Sequence, residues 1–218
     1  MSNAKYEAHL IEKLLPLTGM TEKLSFGAVA LDVGCGSGLR VCRLAEHFPS
    51  SNFTGVDVSL DAVLSATQAM SLEGKAVHNA AFIQRDLCHL DKSWTDKFDW
   101  VSIFDGCHDE ERPDLVLKEI HRVLKPGGVF TMIEINGTSN SFTDKQEIGL
   151  LSAYLYGVSI FHCLPVGSNS KDALCVGAMW GKERAVELLK NAGFVDVQVI
   201  PTPFFAINVL YLCKKASQ

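Results

Sequence analysis

Short β-branched or aromatic runs alternate along this chain with stretches of helical period, and no other feature restricts the fold as much. The runs are AVALDV (28–33), NFTGVDV (52–58), AAFIQRD (80–86), FDWVSIF (98–104) and GVFTMIEI (128–135), each bounded by turn residues. Helical patterns lie between them at 39–48, 60–72 and 113–124, the last opened by Pro113 and closed by KPGG. Strands joined by crossover helices form a parallel sheet covered on both faces. A further helix at 182–191, stopped by Gly193, leads to FVDVQVI (194–200) and, after a Pro-rich bend, AINVLYLCKK (206–215). The bend PTPFF is too short for a parallel crossover, so these two strands pair antiparallel. The expected fold class is α/β: a doubly wound, seven-stranded, mostly parallel sheet with a terminal antiparallel hairpin. A chain of 218 residues favours one core over two. It is read as a single domain over 1–218, with an N-terminal helical extension over 1–24 and an inserted cap over 136–180. The extension holds a helix at 6–17, broken near Pro16; MSNA at the start reads as an expression scar.

The stretch LDVGCGSGLRV (31–41) places Gly34, Gly36 and Gly38 at the turn from first strand to first helix. Doubly wound sheets bind their ligands in that crevice. The dinucleotide fingerprint G-x-G-x-x-G wants its third glycine where Leu39 stands, which disfavours an NAD(P)-dependent oxidoreductase. Asp57 ends the second strand 19 positions after Gly38, where a carboxylate accepts both hydroxyls of a ribose. Asp86, in QRDL (84–87), is placed to accept from an exocyclic adenine amine, with Leu87 and Val58 against the ring faces. An adenine amine buried without a partner costs about 1–3 kcal/mol. Asp32 lies inside the first strand, where a carboxylate needs backbone amides or a ligand amine, and reads as organising the glycine turn.

Together these stretches resemble the class I S-adenosylmethionine-dependent methyltransferases. LDVGCGSG is similar to that family's first motif, VDVS to its ribose motif, RDL to its adenine motif, FDWVSIFDGCHD to its fourth-strand motif, and RVLKPGGVF (122–130) to its turn into strand five. The resemblance covers 28–135 by motif and reaches 215 by element order. It implies S-adenosyl-L-methionine as cofactor and S-adenosyl-L-homocysteine as product, bound through Asp32, Gly34, Gly36, Gly38, Asp57, Val58, Asp86, Leu87 and Phe104. DGCHDEERPDLVLKEIHRVLKPGG, with the later GAMWG (177–181), resembles a subgroup whose longer members carry an N-terminal winged helix; these 218 residues show no such segment.

Methyl transfer from a sulfonium is an in-line displacement in which orientation alone supplies on the order of 7–11 kcal/mol in favourable cases. His108, just past the fourth strand, is the catalytic candidate, because a neutral imidazole there takes a proton from a hydroxyl, amine or thiol acceptor. The bland alternative is a histidine that only orients its loop; Asp109 and Glu134 are secondary candidates, and His162 and Trp180 would line the acceptor pocket. The segment 148–166 carries no charge, and Tyr154, Tyr156, Phe161 and His162 within it suit an apolar lid or, as a rival use, a homodimer interface. FDGCHD lacks both the N/D-P-P-Y/F pattern of base-amino methylation and the Pro-Cys pair of cytosine methylation, so Cys107 is not read as a nucleophile and the acceptor is read as a small molecule. A non-catalytic binding module on the same fold is the alternative function.

A net charge of −5 without a dense Lys/Arg block leaves no footprint for nucleic acid or an anionic membrane surface. The run Ile148–Ser170 is long enough for a span, but Gly149, Ser152, Gly157, Ser159 and Pro165 interrupt it, so no membrane partner is expected. The seven cysteines are odd in number, scattered and never spaced C-x-x-C, which suggests no disulfide framework, no metal site, and reduced thiols in the cytoplasm.

Overall fold

The computed structural model describes residues 9–70 and 77–217. The MSNA stretch, residues 6–8 of the leading helix and residues 71–72 of the 60–72 helix lie outside them. The leading segment is a π turn, Leu10–Leu14, running into one α turn, Leu15–Thr18. Pro16 does not break it, since it stands in the first turn of that α segment, where no amide hydrogen is needed; the stop comes at Gly19, at φ +70°.

After α1 (Thr21–Phe26) come β1 (Val29–Val33), α2 (Leu39–His47), β2 (Asn52–Asp57), α3 (Leu60–Ala69), β3 (Ala80–Gln84), β4 (Phe98–Phe104), α4 (Pro113–Val123) and β5 (Leu124–Ile135). Ser59 caps α3 by accepting from the Ala62 amide, and Pro113 occupies the first turn of α4. β5 starts four residues earlier than its apolar run, because Leu124 already pairs with Phe98 before the register slips and resumes at Trp100–Val129. The segment expected as a cap holds α5 (Ser141–Ile148) and α6 (Leu150–Val158), the latter prolonged by a π turn, Ser159–Cys163, and a last turn, Leu164–Val166. Then follow α7 (Lys182–Asn191), β6 (Val195–Pro201) and β7 (Asn208–Lys214).

The seven strands lie in the order β3-β2-β1-β4-β5-β7-β6. The first five are parallel; β7 runs antiparallel to both β5 and β6, so the hairpin forms and β7 is its inner strand. Period-two alternation divides the core. Leu31, Val33, Val101, Ile103, Phe130 and Met132 face Val116, Leu117 and Ile120 of α4 and Ala185 and Leu189 of α7. Ala30, Trp100, Ile133 and Leu210 face the other way, against Val41, Leu44 and Ala45 of α2 and against Leu10, Leu14 and Leu24. β4 is buried at every position, as the central strand between β1 and β5 must be. Strand order reverses between β1 and β4, which opens a crevice at their carboxyl ends.

Among the described residues no helix is long and apolar enough to cross a membrane. The uncharged run is divided by Gly149 and by the π turn.

Candidate active site

The glycine turn stands at the carboxyl end of β1. Gly34 and Gly36 have φ of +64° and +54°, and a Cβ on either would meet nothing within 4 Å, so the turn leaves its backbone open to the crevice. Gly38 is different: at φ +74°, a Cβ there would come within 2.5 Å of the Phe82 ring and 2.6 Å of Ala66. Its missing side chain makes room for the packing of β3 and α3 against the turn. Asp57 Oδ2 accepts from the Gly36 amide at 2.8 Å and Oδ1 from the Ser59 amide at 2.9 Å. The acid ending β2 therefore fixes the turn that follows β1.

Asp32 is buried, accepting from Ser102 Oγ at 2.8 Å and facing Arg40 Nη2 at 3.1 Å. Burial raises its pKa against the opposing pull of Arg40 and Ser102. The Arg40 guanidinium reaches the Gly34 carbonyl at 3.3 Å and lies 4.9 Å from the centre of the Phe104 ring. Asp32 thus acts on the glycine turn through Arg40, and Phe104 packs beneath that cation.

Past β4, the turn Cys107–Asp109 places His108 in the interior. Its Nδ1 meets Glu134 Oε2, while Glu134 Oε1 accepts from the Cys107 and His108 amides at 3.1 and 3.3 Å. Three donors converge on one buried carboxylate, which keeps it an acceptor and directs the imidazole Nε2 away from it. Burial alone lowers the His108 pKa, but the Glu134 carboxylate overrides this and raises it well above the ordinary value. A cavity of about 150 Å³ opens here. Gly34, Gly36, Arg40, Phe104, Asp105, His108 and Asp109 form its sheet side, and Val158, His162 and Cys163 close it from the cap. Asp105, at φ +47°, accepts from Asn208 Nδ2 at 2.6 Å. The neighbouring Glu110 carboxyl is pushed up to about 7 by burial and by Asp57, Asp109, Asp86 and Glu111.

A second cavity, of about 360 Å³, lies on the β2–β3 side, lined by Val58, Gln84, Arg85, Asp86 and His89. Val58 is 61% exposed there. Asp86 accepts from the Cys88 amide at 2.9 Å and pairs with His89 Nδ1 at 2.8 Å, and His89 holds its carboxyl below the usual range. Leu87, expected against a ring face, is instead buried in the core with Leu90 and Trp94. Trp180, expected at the acceptor pocket, is likewise a core residue. In the cap only His162 of the four expected residues lines the cavity: Tyr156 donates to Asp144 Oδ2 at 2.8 Å, whereas Tyr154 and Phe161 face outward.

The family model for a methyltransferase domain matches residues 24–193. The chain belongs to the S-adenosylmethionine-dependent methyltransferases. A demethylmenaquinone methyltransferase of Geobacillus stearothermophilus is 29% identical to this methyltransferase over 182 residues, covering 82% of this chain and 75% of its own. An S-adenosyl-L-methionine-dependent Diels-Alderase of Talaromyces variabilis is 26% identical over 175 residues, covering 80% and 56%. In fold the methyltransferase is similar to the [4+2]-cyclase SpnF, with a TM-score of 0.68 at 20% identity over 94% of this chain and 81% of that one. Membership displaces the NAD(P) reading, in line with the spacing of the three glycines. Neither Arg40 nor Cys163 is marked by its sequence neighbours. Arg40 sits at a helix position that rotation brings back over Asp32, and Cys163 arrives from a cap whose path no periodicity encodes.

Proposed function

We propose that this methyltransferase uses S-adenosyl-L-methionine, released as S-adenosyl-L-homocysteine, to methylate a small molecule held between the crevice and the α5–α6 cap. The observation that carries this reading is the cavity into which the Gly34–Gly36 turn and His108 both open. At about 150 Å³ it suits the methionine end of the cofactor and a reacting group, leaving the adenosine for the wider cavity on the β2–β3 side. The residues fit that division. Asp57, bonded to Gly36 of the first cavity and next in sequence to Val58 of the second, would accept from the ribose hydroxyls, Asp86 from the adenine amine, and Val58 would cover a ring face. Leu87 supports that wall from the core. Gly34 and Gly36 admit the methionine end, Gly38 shapes their turn, and Asp32 holds Arg40 over Phe104, where the guanidinium meets the methionine carboxylate.

When bound, the cofactor supplies an electrophilic methyl group. Of the residues present, His108 is the catalytic one: Glu134 occupies Nδ1 and raises the ring's pKa, so Nε2 takes the acceptor's proton in the fraction of enzyme whose imidazole is neutral, a fraction that grows as pH rises. The surrounding carboxylates favour a cationic sulfur. Free thiols at all seven cysteines are compatible with the cytoplasm.

His108→Ala is expected to depress turnover by about 10²-fold or more, the lower range for a general base, while S-adenosyl-L-homocysteine binding measured by calorimetry stays within about threefold. Unchanged turnover would reduce His108 to scaffolding, and no heat with the product would remove the cofactor assignment. The name of the S-adenosyl-L-methionine-dependent Diels-Alderase favours a second reading, in which the cofactor is bound without methyl transfer. Product binding without turnover on a panel of phenols, thiols and amines would select it.

A further inference from the structure

The cavity contains a side-chain constellation that methyl transfer by itself does not require. His108, Asp109 and Cys163 each offer one ligand atom, and those atoms lie within 4.8 Å of one another. His108 Nε2 and Asp109 Oδ1 are 3.4 Å apart. Asp109 Oδ1 is buried and has no hydrogen-bond partner among the described residues. That oxygen has only the long ion pair to His108 Nε2, so a cation bound among the imidazole, the carboxylate and the thiol would satisfy it more fully. The nitrogen on the far side of the imidazole is held by Glu134, the carboxylate–histidine arrangement that orients and strengthens a metal-ligating ring.

We propose that His108, Asp109 and Cys163 bind a zinc-class divalent cation, with its fourth coordination position open to the acceptor cavity. Tetrahedral bonds of about 2.0–2.3 Å to nitrogen, oxygen and sulfur place ligand atoms about 3.3–3.8 Å apart. The histidine–aspartate separation already meets this, and the sulfur has to draw in by at most about 1–1.5 Å. Ligand softness selects the metal: one imidazole, one thiolate and one carboxylate suit zinc and exclude magnesium or calcium, which take oxygen ligands. Three protein ligands with a fourth position open to a cavity is the arrangement of a catalytic rather than a structural zinc. The cation would hold an acceptor thiol or hydroxyl there as its anion, the displaced proton passing to solvent. The acceptor's sulfur or oxygen lone pair then forms the new bond to the methyl carbon as the carbon–sulfonium bond breaks, leaving a neutral thioether. With the metal in place, Nε2 is a ligand and coordination, not the imidazole, takes over the activation of the acceptor.

This rests on the reading of the cavity as the acceptor site, and the test separates the two. Chelator-treated full-length protein is titrated with zinc chloride in competition with a chromophoric chelator, and with cobalt(II) chloride while the absorption spectrum is recorded. One equivalent of zinc is expected to bind, and cobalt is expected to give a sulfur-to-metal charge-transfer band. Cys163→Ser should abolish the band and weaken zinc at least about tenfold, whereas Cys175→Ser, at the exposed thiol, should change neither. Glu134→Gln should weaken zinc by about 10–100-fold, as loss of a ligand-orienting partner does. S-adenosyl-L-homocysteine is titrated into the chelator-treated wild-type protein before zinc is added, and it should bind without the metal. Absence of stoichiometric zinc binding by the wild-type protein, or a cobalt band that survives Cys163→Ser, overturns the metal site while leaving the cofactor reading intact. Loss of product binding with zinc retained does the reverse.

Discussion

Replacing Asp57 separates ligand recognition from turn architecture. Its carboxylate already accepts from the Gly36 and Ser59 amides, at 2.8 and 2.9 Å, so the proposed ribose bonds use the remaining lone pairs of the same two oxygens. A hydrogen bond to a charged group contributes about 1.5–3 kcal/mol. Two hydroxyls on a half-exposed carboxylate therefore stand near the lower end of the doubled range, about 3 kcal/mol, which is roughly a 150-fold loss of affinity in Asp57→Ala. The two amides lose their acceptor in the free protein as well. Both lie where water can replace it, so the stability cost is about 1 kcal/mol, a fall of about 2–4 °C in Tm for a chain of this size. Asp57→Asn keeps the shape but presents an amine toward one of two donors, and should lie between alanine and wild type. Calorimetric titration with S-adenosyl-L-homocysteine and thermal melting of all three proteins measure the two quantities separately. Affinity within threefold of wild type in Asp57→Ala would refute the ribose assignment. A collapse in Tm with affinity lost would show that the acid serves the turn alone.

Other perturbations test the scaffold around that cleft. Gly38→Ala drives a Cβ into Phe82 and Ala66 at a positive φ, and should cost about 1–3 kcal/mol in chemical denaturation; no loss would mean that the turn repacks freely. Arg40→Met leaves the buried Asp32 with Ser102 but no cation, for an expected loss of about 3–5 kcal/mol, and Asp32→Asn added to it should restore part of that stability. If the double variant is no better than the single, the pair is not the source of the cost. Asp99 accepts from the Val29 amide and from Lys125, and pairs with Lys23. Burial raises its pKa, but those three partners outweigh it and leave the carboxyl below its ordinary value. Its contribution is therefore present above the unfolded value of about 3.9 and lost as pH falls through the lower folded value. Denaturation measured from neutral to acidic pH should show a shallower acid limb in Asp99→Asn, and an unchanged limb would place the acid sensitivity elsewhere.

The fold was legible because burial on both sheet faces forces continuous apolar strands, and crossover helices separate them with turn residues; β4 displays both. The placement of the strand-end residues was legible for a related reason. In a doubly wound sheet the strand ends lie side by side, so Gly34, Asp57 and Asp86 follow the carboxyl ends of the neighbouring strands β1, β2 and β3 without knowledge of any side-chain contact. The cavity beyond β4 depends on information that a linear pattern lacks. Glu134 meets His108 only because Phe104 pairs with Ile133 across β4 and β5, a register that no local motif specifies. The cap failed most instructively. A helix declares its inward face by the charges on its outward one, and 148–166 has none, so Tyr154 and Phe161 were as well suited to the cavity as to the surface. The structure turns Leu150 and Phe161 outward at 90% and 86% exposure and turns Cys163 inward beside His108. Without a charge to mark the water side, periodicity locates such a helix but leaves its rotation undetermined, and that rotation decides which side chains reach the cavity.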